Sequence, residues 1–143
     1  SSAPALALAR AAAERNGLSA TFRREDAFAA MESLAAEKAA FDIVICDPPP
    51  FIPTRKDRAS GLRGYARMAR LAAGLVAVGG FLFAASCSHH ALADDFAAAI
   101  AQGLTRAGRE GRTVHAGGAG ADHPIHPHLP ESAYLKTLLI QLF

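Results

Sequence analysis

Apolar and polar positions along the chain alternate between a helical period and short continuous runs, and the first of these segments is helical. Ala3 to Asn16 is rich in Ala and Leu, with Pro4 in its first turn, Ser1-Ser2 as an N-cap and Asn16-Gly17 where a left-handed cap stops it. Thr21 to Arg24 is expected to form a short strand. Glu25-Asp26-Ala27-Phe28 then leads into a helix through about Ala40 that carries Met31, Leu34 and Ala35 on one side. The run Phe41-Asp42-Ile43-Val44-Ile45-Cys46 is too short for a helix and too continuously apolar for a half-exposed strand, so it predicts a central parallel strand covered on both faces. Asp47 and three prolines end it, because proline cannot donate to a ladder.

Downstream, Ile52 to Gly61 reads as a charged loop and Leu62 to Val78 as a helix ending at Gly79-Gly80, with Met68, Leu71 and Leu75 on one face. Arg63, Arg67 and Arg70 share another face of that helix. Phe81 to Ala85 is the next buried strand and stops at Ser86-Cys87-Ser88-His89-His90. A helix from about Ala91 to Ala107 follows, with Asp94 and Asp95 in its first turn, where they suit the helix dipole. Thr113 to Ala116 is a candidate strand, Gly117 to Glu131 a Gly/Pro/His loop, and Ala133 to Phe143 a final apolar strand. Strands alternating with helices imply an α/β sandwich with a mostly parallel sheet, and the helix-free last connection permits an antiparallel final strand.

At 143 residues, half of them apolar, the chain holds one domain and no second one. A net charge of +2 is weak evidence for a polyanionic partner. Two cysteines without a signal-peptide pattern make reduced thiols and a cytoplasmic location the default. Charged residues and glycines interrupt every apolar tract before it could span a bilayer, so no membrane segment is expected.

Chemistry concentrates at two strand ends. Ligands in open α/β sheets bind beyond the carboxyl ends of the strands, which is where Asp47 and Cys87 fall, whereas Cys46 lies within an apolar run and reads as core. Asp before proline also starts turns, and Asp26 also reads as the N-cap of the helix it precedes. Phe51 either stacks on an extruded base or packs beneath its loop. Arg55, Lys56, Arg58, Arg63, Arg67 and Arg70 are candidate phosphate contacts or a solvated face. His89, His90, His123, His126 and His128 lack a paired Cys-x-x-Cys and lie mostly in a proline-rich loop, so no metal site is expected.

The ordered set Asp47-Pro48-Pro49-Pro50-Phe51, Gly64-Tyr65, Gly79-Gly80, Ser86-Cys87-Ser88-His89-His90, Asp122-His123-Pro124 and Glu131-Ser132-Ala133-Tyr134-Leu135-Lys136 resembles the catalytic domain of S-adenosylmethionine-dependent 23S rRNA 5-methylcytosine methyltransferases of the large-subunit methyltransferase I type. The resemblance covers nearly the whole chain. It implies a Rossmann-like class I methyltransferase sandwich with an antiparallel last strand, in which residues 1–143 form the C-terminal part of the catalytic domain. In that family the first two strands, the glycine-rich loop and the acid that holds the cofactor's ribose would lie upstream of Ser1, so the chain alone is expected to bind S-adenosylmethionine weakly.

The resemblance further implies Cys87 as a nucleophile adding to carbon 6 of cytosine and Asp47 as the group that hydrogen-bonds or protonates the ring. It places Asp26, Ala27, Asp47 and Pro48 at the cofactor, and Pro49, Phe51, Arg55 and Lys56 toward an RNA substrate, with Asp122-His123-Pro124 packed near the active site. Tyr134 and Lys136 are expected to alternate along the final strand and close the sheet. Two other readings remain open from the residues: an amino-group methyltransferase using the Asp-Pro-Pro loop without a thiol, and a catalytically silent module that binds RNA or protein.

Overall fold

The computed structural model describes residues 2–143; the expectation for Ser1 lies outside them. Its elements are α1 (Ala3–Arg15), α2 (Ala27–Ala36), β1 (Phe41–Cys46), α3 (Arg58–Ala73), β2 (Val76–Ser86), α4 (Ala93–Arg106), β3 (Gly111–Gly117) and β4 (Lys136–Leu142). The four strands make one sheet in the order β1-β2-β4-β3. β1 runs parallel to β2, and β4 inserts antiparallel between β2 and β3. The alternating α/β reading and the antiparallel last strand therefore hold.

The core lies between the sheet and the α3–α4 pair. Leu82, Ala84, Ile140 and Leu142 from the strands meet Tyr65, Met68, Ala69, Phe96 and Ile100 from the helices, all almost fully buried. The two helices approach closely at Gly103, where a Cβ would stand 2.5 Å from the Ala66 carbonyl oxygen, so only glycine fits this seam. Arg109 staples the far end of the sheet, donating from Nε to the Phe143 carbonyl and from Nη1 to those of Ala73 and Val76.

Four expectations change. Thr21 to Arg24 is irregular, since no strand among the described residues pairs with it. The helix expected to reach Ala40 stops at Ala36, because the chain turns at Lys38 with φ 56°. Among the described residues β1 is at the edge of the sheet and not central: Val44 and Cys46 face the helices, while Ile43 and Ile45 point the other way and are 60% and 68% exposed. The helix expected to reach Val78 ends at Ala73, and Val76 to Val78 already belong to β2.

Gly79-Gly80 is consequently a bulge and not a helix cap. Between the pairs Phe41↔Val76 and Ile43↔Phe81 the register slips. Gly79 takes φ 82°, and a Cβ on Gly80 would lie 2.7 Å from the Asp42 carbonyl oxygen, so both positions need glycine. The extra residues let β2 begin in one register and finish with Ala84 opposite Cys46, which aligns the ends of β1 and β2.

Candidate active site

Because β1 and β2 are parallel and end together, the loops after Cys46 and Ser86 leave the sheet side by side. Cys87, half-buried, has its Sγ 3.9 Å from the Pro48 carbonyl oxygen. The two strand ends singled out in the sequence thus form one locus. Cys46, buried below it, has its thiol pushed up to about 11 by desolvation, as suits a core residue.

The loops are joined by a buried triangle of hydroxyls. Tyr65 Oη, projecting from α3, lies 2.7 Å from Ser86 Oγ and 2.8 Å from Ser88 Oγ. Ser88 Oγ accepts from the Ile52 backbone N–H at 3.2 Å, and Ser86 Oγ accepts from that of Ser88 at 3.3 Å. From β4, Lys136 Nζ donates to the Ser88 carbonyl at 2.6 Å. Burial lowers the pKa of that ammonium, and the Coulombic interaction with Cys87 opposes the shift. Lys136, the first residue of β4, keeps its place in the sheet and also reaches the cysteine turn, whereas Tyr134 precedes the strand and lies tilted against His89 at 5.2 Å between centroids.

Residues 47–50 separate two cavities. On the Cys87 side is a cleft of about 590 Å³ lined by Pro50, Ile52, Pro53, Cys87, His89, His90 and Glu131. On the other side an apolar slot of about 480 Å³ is lined by Ala27, Phe28, Met31, Val44, Asp47 and Pro48. Both volumes are in the usual range for small-ligand sites. Ala27, Asp47 and Pro48, three of the four residues expected at the cofactor, thus share one wall system.

Asp26, the fourth, is the N-cap of α2: its Oδ1 accepts from the Phe28 and Ala29 N–H groups, each at 3.0 Å. Phe51 sits in an aromatic row, 6.2 Å from Phe28 and 4.8 Å from Tyr65, and Tyr65 in turn meets Phe96 edge-on at 5.1 Å. Its ring borders the slot and not the Cys87 cleft. Pro49, Arg55 and Lys56 are exposed. Two of the other basic residues are engaged within the chain, Arg58 with Asp95 and Arg67 with Glu32, and Arg67 also lies 4.6 Å over the Phe28 ring.

The Asp122-His123-Pro124 loop is exposed. His123 is 73% exposed and pairs only with Asp122 among the described residues, since a segment with so few apolar side chains has nothing to bury; its Ile125 and Leu129 are exposed too. No group of three or more His, Cys, Asp or Glu placed to hold a metal occurs among the described residues, and no helix there is long and apolar enough to cross a membrane. In the sequence Tyr65, Ser86, Ser88 and Glu131 stood only within the motifs of the resemblance, with no role at the site; the helical period, which puts Tyr65 on the face of Met68, was the further available signal for Tyr65.

No family model matches the chain. Curated proteins do. It is 36% identical over 135 residues to the ribosomal RNA large subunit methyltransferase I of Erwinia tasmaniensis, an alignment covering 92% of this chain and 34% of that protein. The protein of the same name from Aeromonas salmonicida is 34% identical over 140 residues, covering 96% of this chain and 35% of the relative. Among solved structures, SMU.776, described as a methyltransferase complexed with SAH, superposes with a TM-score of 0.78 at 19% identity, over 98% of this chain and 37% of the other. The chain spans about a third of the length of the relatives it matches. The sequence similarity thus extends over about one third of the length of ribosomal RNA large subunit methyltransferase I proteins, and the fold is shared with SMU.776.

Proposed function

We propose that this chain is part of the catalytic domain of an S-adenosylmethionine-dependent RNA methyltransferase that forms 5-methylcytosine in ribosomal RNA with Cys87 as nucleophile. The observation that carries the reading is the meeting of Cys87 with the Asp47–Pro50 loop at a cleft large enough for a nucleobase. That loop is the wall between this cleft and an apolar slot suited to the flat face of adenine. The names of the relatives supply the substrate class.

Carbon 5 of cytosine is a poor nucleophile. Addition of the Cys87 thiolate to carbon 6 makes it an enamine carbon, and Asp47, at the end of β1, acting as a carboxylic acid, passes its proton to the ring as negative charge develops there. S-adenosylmethionine supplies the methyl group to carbon 5. A base then removes the carbon 5 proton, the electron pair re-forms the ring double bond, the thiolate leaves, and the ring proton returns to Asp47. Arg55 and Lys56 lie exposed just past the loop, where they would meet RNA phosphates, and Pro49 is exposed between them and Asp47.

The fit to the cofactor is partial in these residues: Ala27, Asp47 and Pro48 border the apolar slot, and Asp26 keeps Oδ2 without a partner among the described residues for an adenine amino group. The test is methylation of ribosomal RNA by the natural gene product, read by nucleoside mass spectrometry, beside Cys87→Ser. Appearance of 5-methylcytidine that the substitution abolishes supports the reading. Methylation of an exocyclic amine, or turnover that survives loss of the thiol, makes Cys87 structural and the Asp-Pro-Pro loop the whole of the chemistry. No methylation of any RNA favours the binding module.

A further inference from the structure

We infer that Tyr65 is a positioning residue for Cys87, holding the cysteine turn and the Asp47–Ile52 loop in one geometry through its single hydroxyl. The inference rests on the nucleophile reading above. Tyr65, Ser86 and Ser88 are 0%, 0% and 1% exposed, so their hydroxyls have only each other and nearby backbone for partners. Cys87 lies between the two serines, and both of its neighbours end on the same phenol.

The two contacts at Tyr65 Oη place two of the three hydroxyl hydrogens. Tyr65 Oη carries one hydrogen, so it donates to one serine and accepts from the other. Each serine oxygen also accepts a backbone N–H, Ser86 from Ser88 and Ser88 from Ile52. The second of these bonds crosses from one strand-end loop to the other. Lys136 grips the same turn from outside through the Ser88 carbonyl. Nothing in the triangle reaches the cleft, so its contribution to chemistry is the place it gives the Cys87 sulfur beside Pro48. Tyr65 is itself held by Phe51 and Phe96 on its ring, which lets the hydroxyl be removed without moving the ring.

The experiment compares Tyr65→Phe and Ser88→Ala with the natural gene product, with Leu142→Val as a core control. Leu142 pairs with Gly111 at the far end of the sheet and touches neither loop. Two readouts are taken: kcat and KM for methylation of ribosomal RNA, and the pH profile of Cys87 alkylation by iodoacetamide, followed on the Cys87 peptide by mass spectrometry. Tyr65→Phe is expected to lower kcat by ten- to a hundred-fold with KM for RNA and cofactor unchanged, as a displaced reacting group does. It should also shift the alkylation profile, and Ser88→Ala should do at least as much. Leu142→Val should change neither.

A Tyr65→Phe enzyme with natural kcat overturns the inference, whatever its alkylation profile. So does a loss that Leu142→Val shares in proportion to its stability. Alkylation is read without turnover, and Cys87→Ser is read separately: full methylation by Cys87→Ser ends the nucleophile reading, whereas a dead Cys87→Ser beside an unaltered Tyr65→Phe ends only the positioning role.

Discussion

Gly61→Ala tests whether the Asp47–Ile52 loop is held in place by the helix beneath it. Gly61 is buried in α3, and a Cβ there would stand 2.5 Å from the Phe51 carbonyl oxygen and 2.4 Å from Ile52 Cγ1. Ordinary van der Waals separation begins at 3.4 Å, so the Phe51 carbonyl must retreat by about 0.9 Å. A movement of that size carries the Ile52 N–H, now 3.2 Å from Ser88 Oγ, out of hydrogen-bond range. Overpacking of this kind costs about 1–3 kcal/mol and the lost bond about 1 more, against a gain of about 1 kcal/mol in helix propensity. The net is a destabilisation of about 2 kcal/mol, read as a lower urea midpoint. Activity should fall further than stability, on the order of 10²-fold, because the loop that faces Cys87 has moved by about an ångström. Leu142→Ala, with at least as large a stability loss at the far end of the sheet, should keep its activity. A Gly61→Ala protein as stable and as active as the natural one refutes the claim that α3 sets the loop.

Asp26→Ala should cost about 1 kcal/mol through loss of the α2 cap, and Asp26→Asn should recover most of it, both measured by urea unfolding. Cys46, with its folded pKa raised to about 11 by burial, contributes stability that is fully present below the unfolded thiol value near 9.0 and is lost as pH rises through 11. The fall should amount to about 2–3 kcal/mol by urea titration across pH 8–11.5 and be missing from Cys46→Ala. Neutralising Arg55 and Lys56 together should flatten the salt dependence of RNA binding by about 0.7–0.9 in log–log slope for each phosphate they neutralise, and an unchanged slope would mean that they are only a solvated face.

What the sequence showed well were features that a single local rule determines. The Phe41 to Cys46 strand and its stop at Asp47 follow from β-branched residues meeting prolines, and α4 from its period and acidic first turn. The locus of Asp47 and Cys87 was legible for the same reason, as two apolar runs each ending in polar residues. The errors arose where distant pairing overrides local preference. Gly79-Gly80 looks like a helix end, and only its ladder with Phe41 to Ile43 makes it a bulge. Ile43 and Ile45 look like core, yet which face of β1 is covered depends on elements the run itself does not encode. Tyr65 showed only as part of the Gly64-Tyr65 motif of the resemblance; its hydroxyl finds Ser86 and Ser88 at separations of 21 and 23 residues, which no spacing rule reaches.

The most direct test of Cys87 as nucleophile is covalent trapping on ribosomal RNA carrying 5-fluorocytidine. After thiol addition to carbon 6 and methyl transfer to carbon 5, fluorine occupies the place of the proton that a base would remove, so the thiolate cannot be expelled. In the presence of S-adenosylmethionine, the natural gene product should yield a denaturant-stable protein–RNA adduct whose cross-linked peptide contains Cys87, and Cys87→Ser should yield none. Methylation of unmodified RNA with no adduct on the fluorinated one, or an adduct on any other residue, would contradict the account.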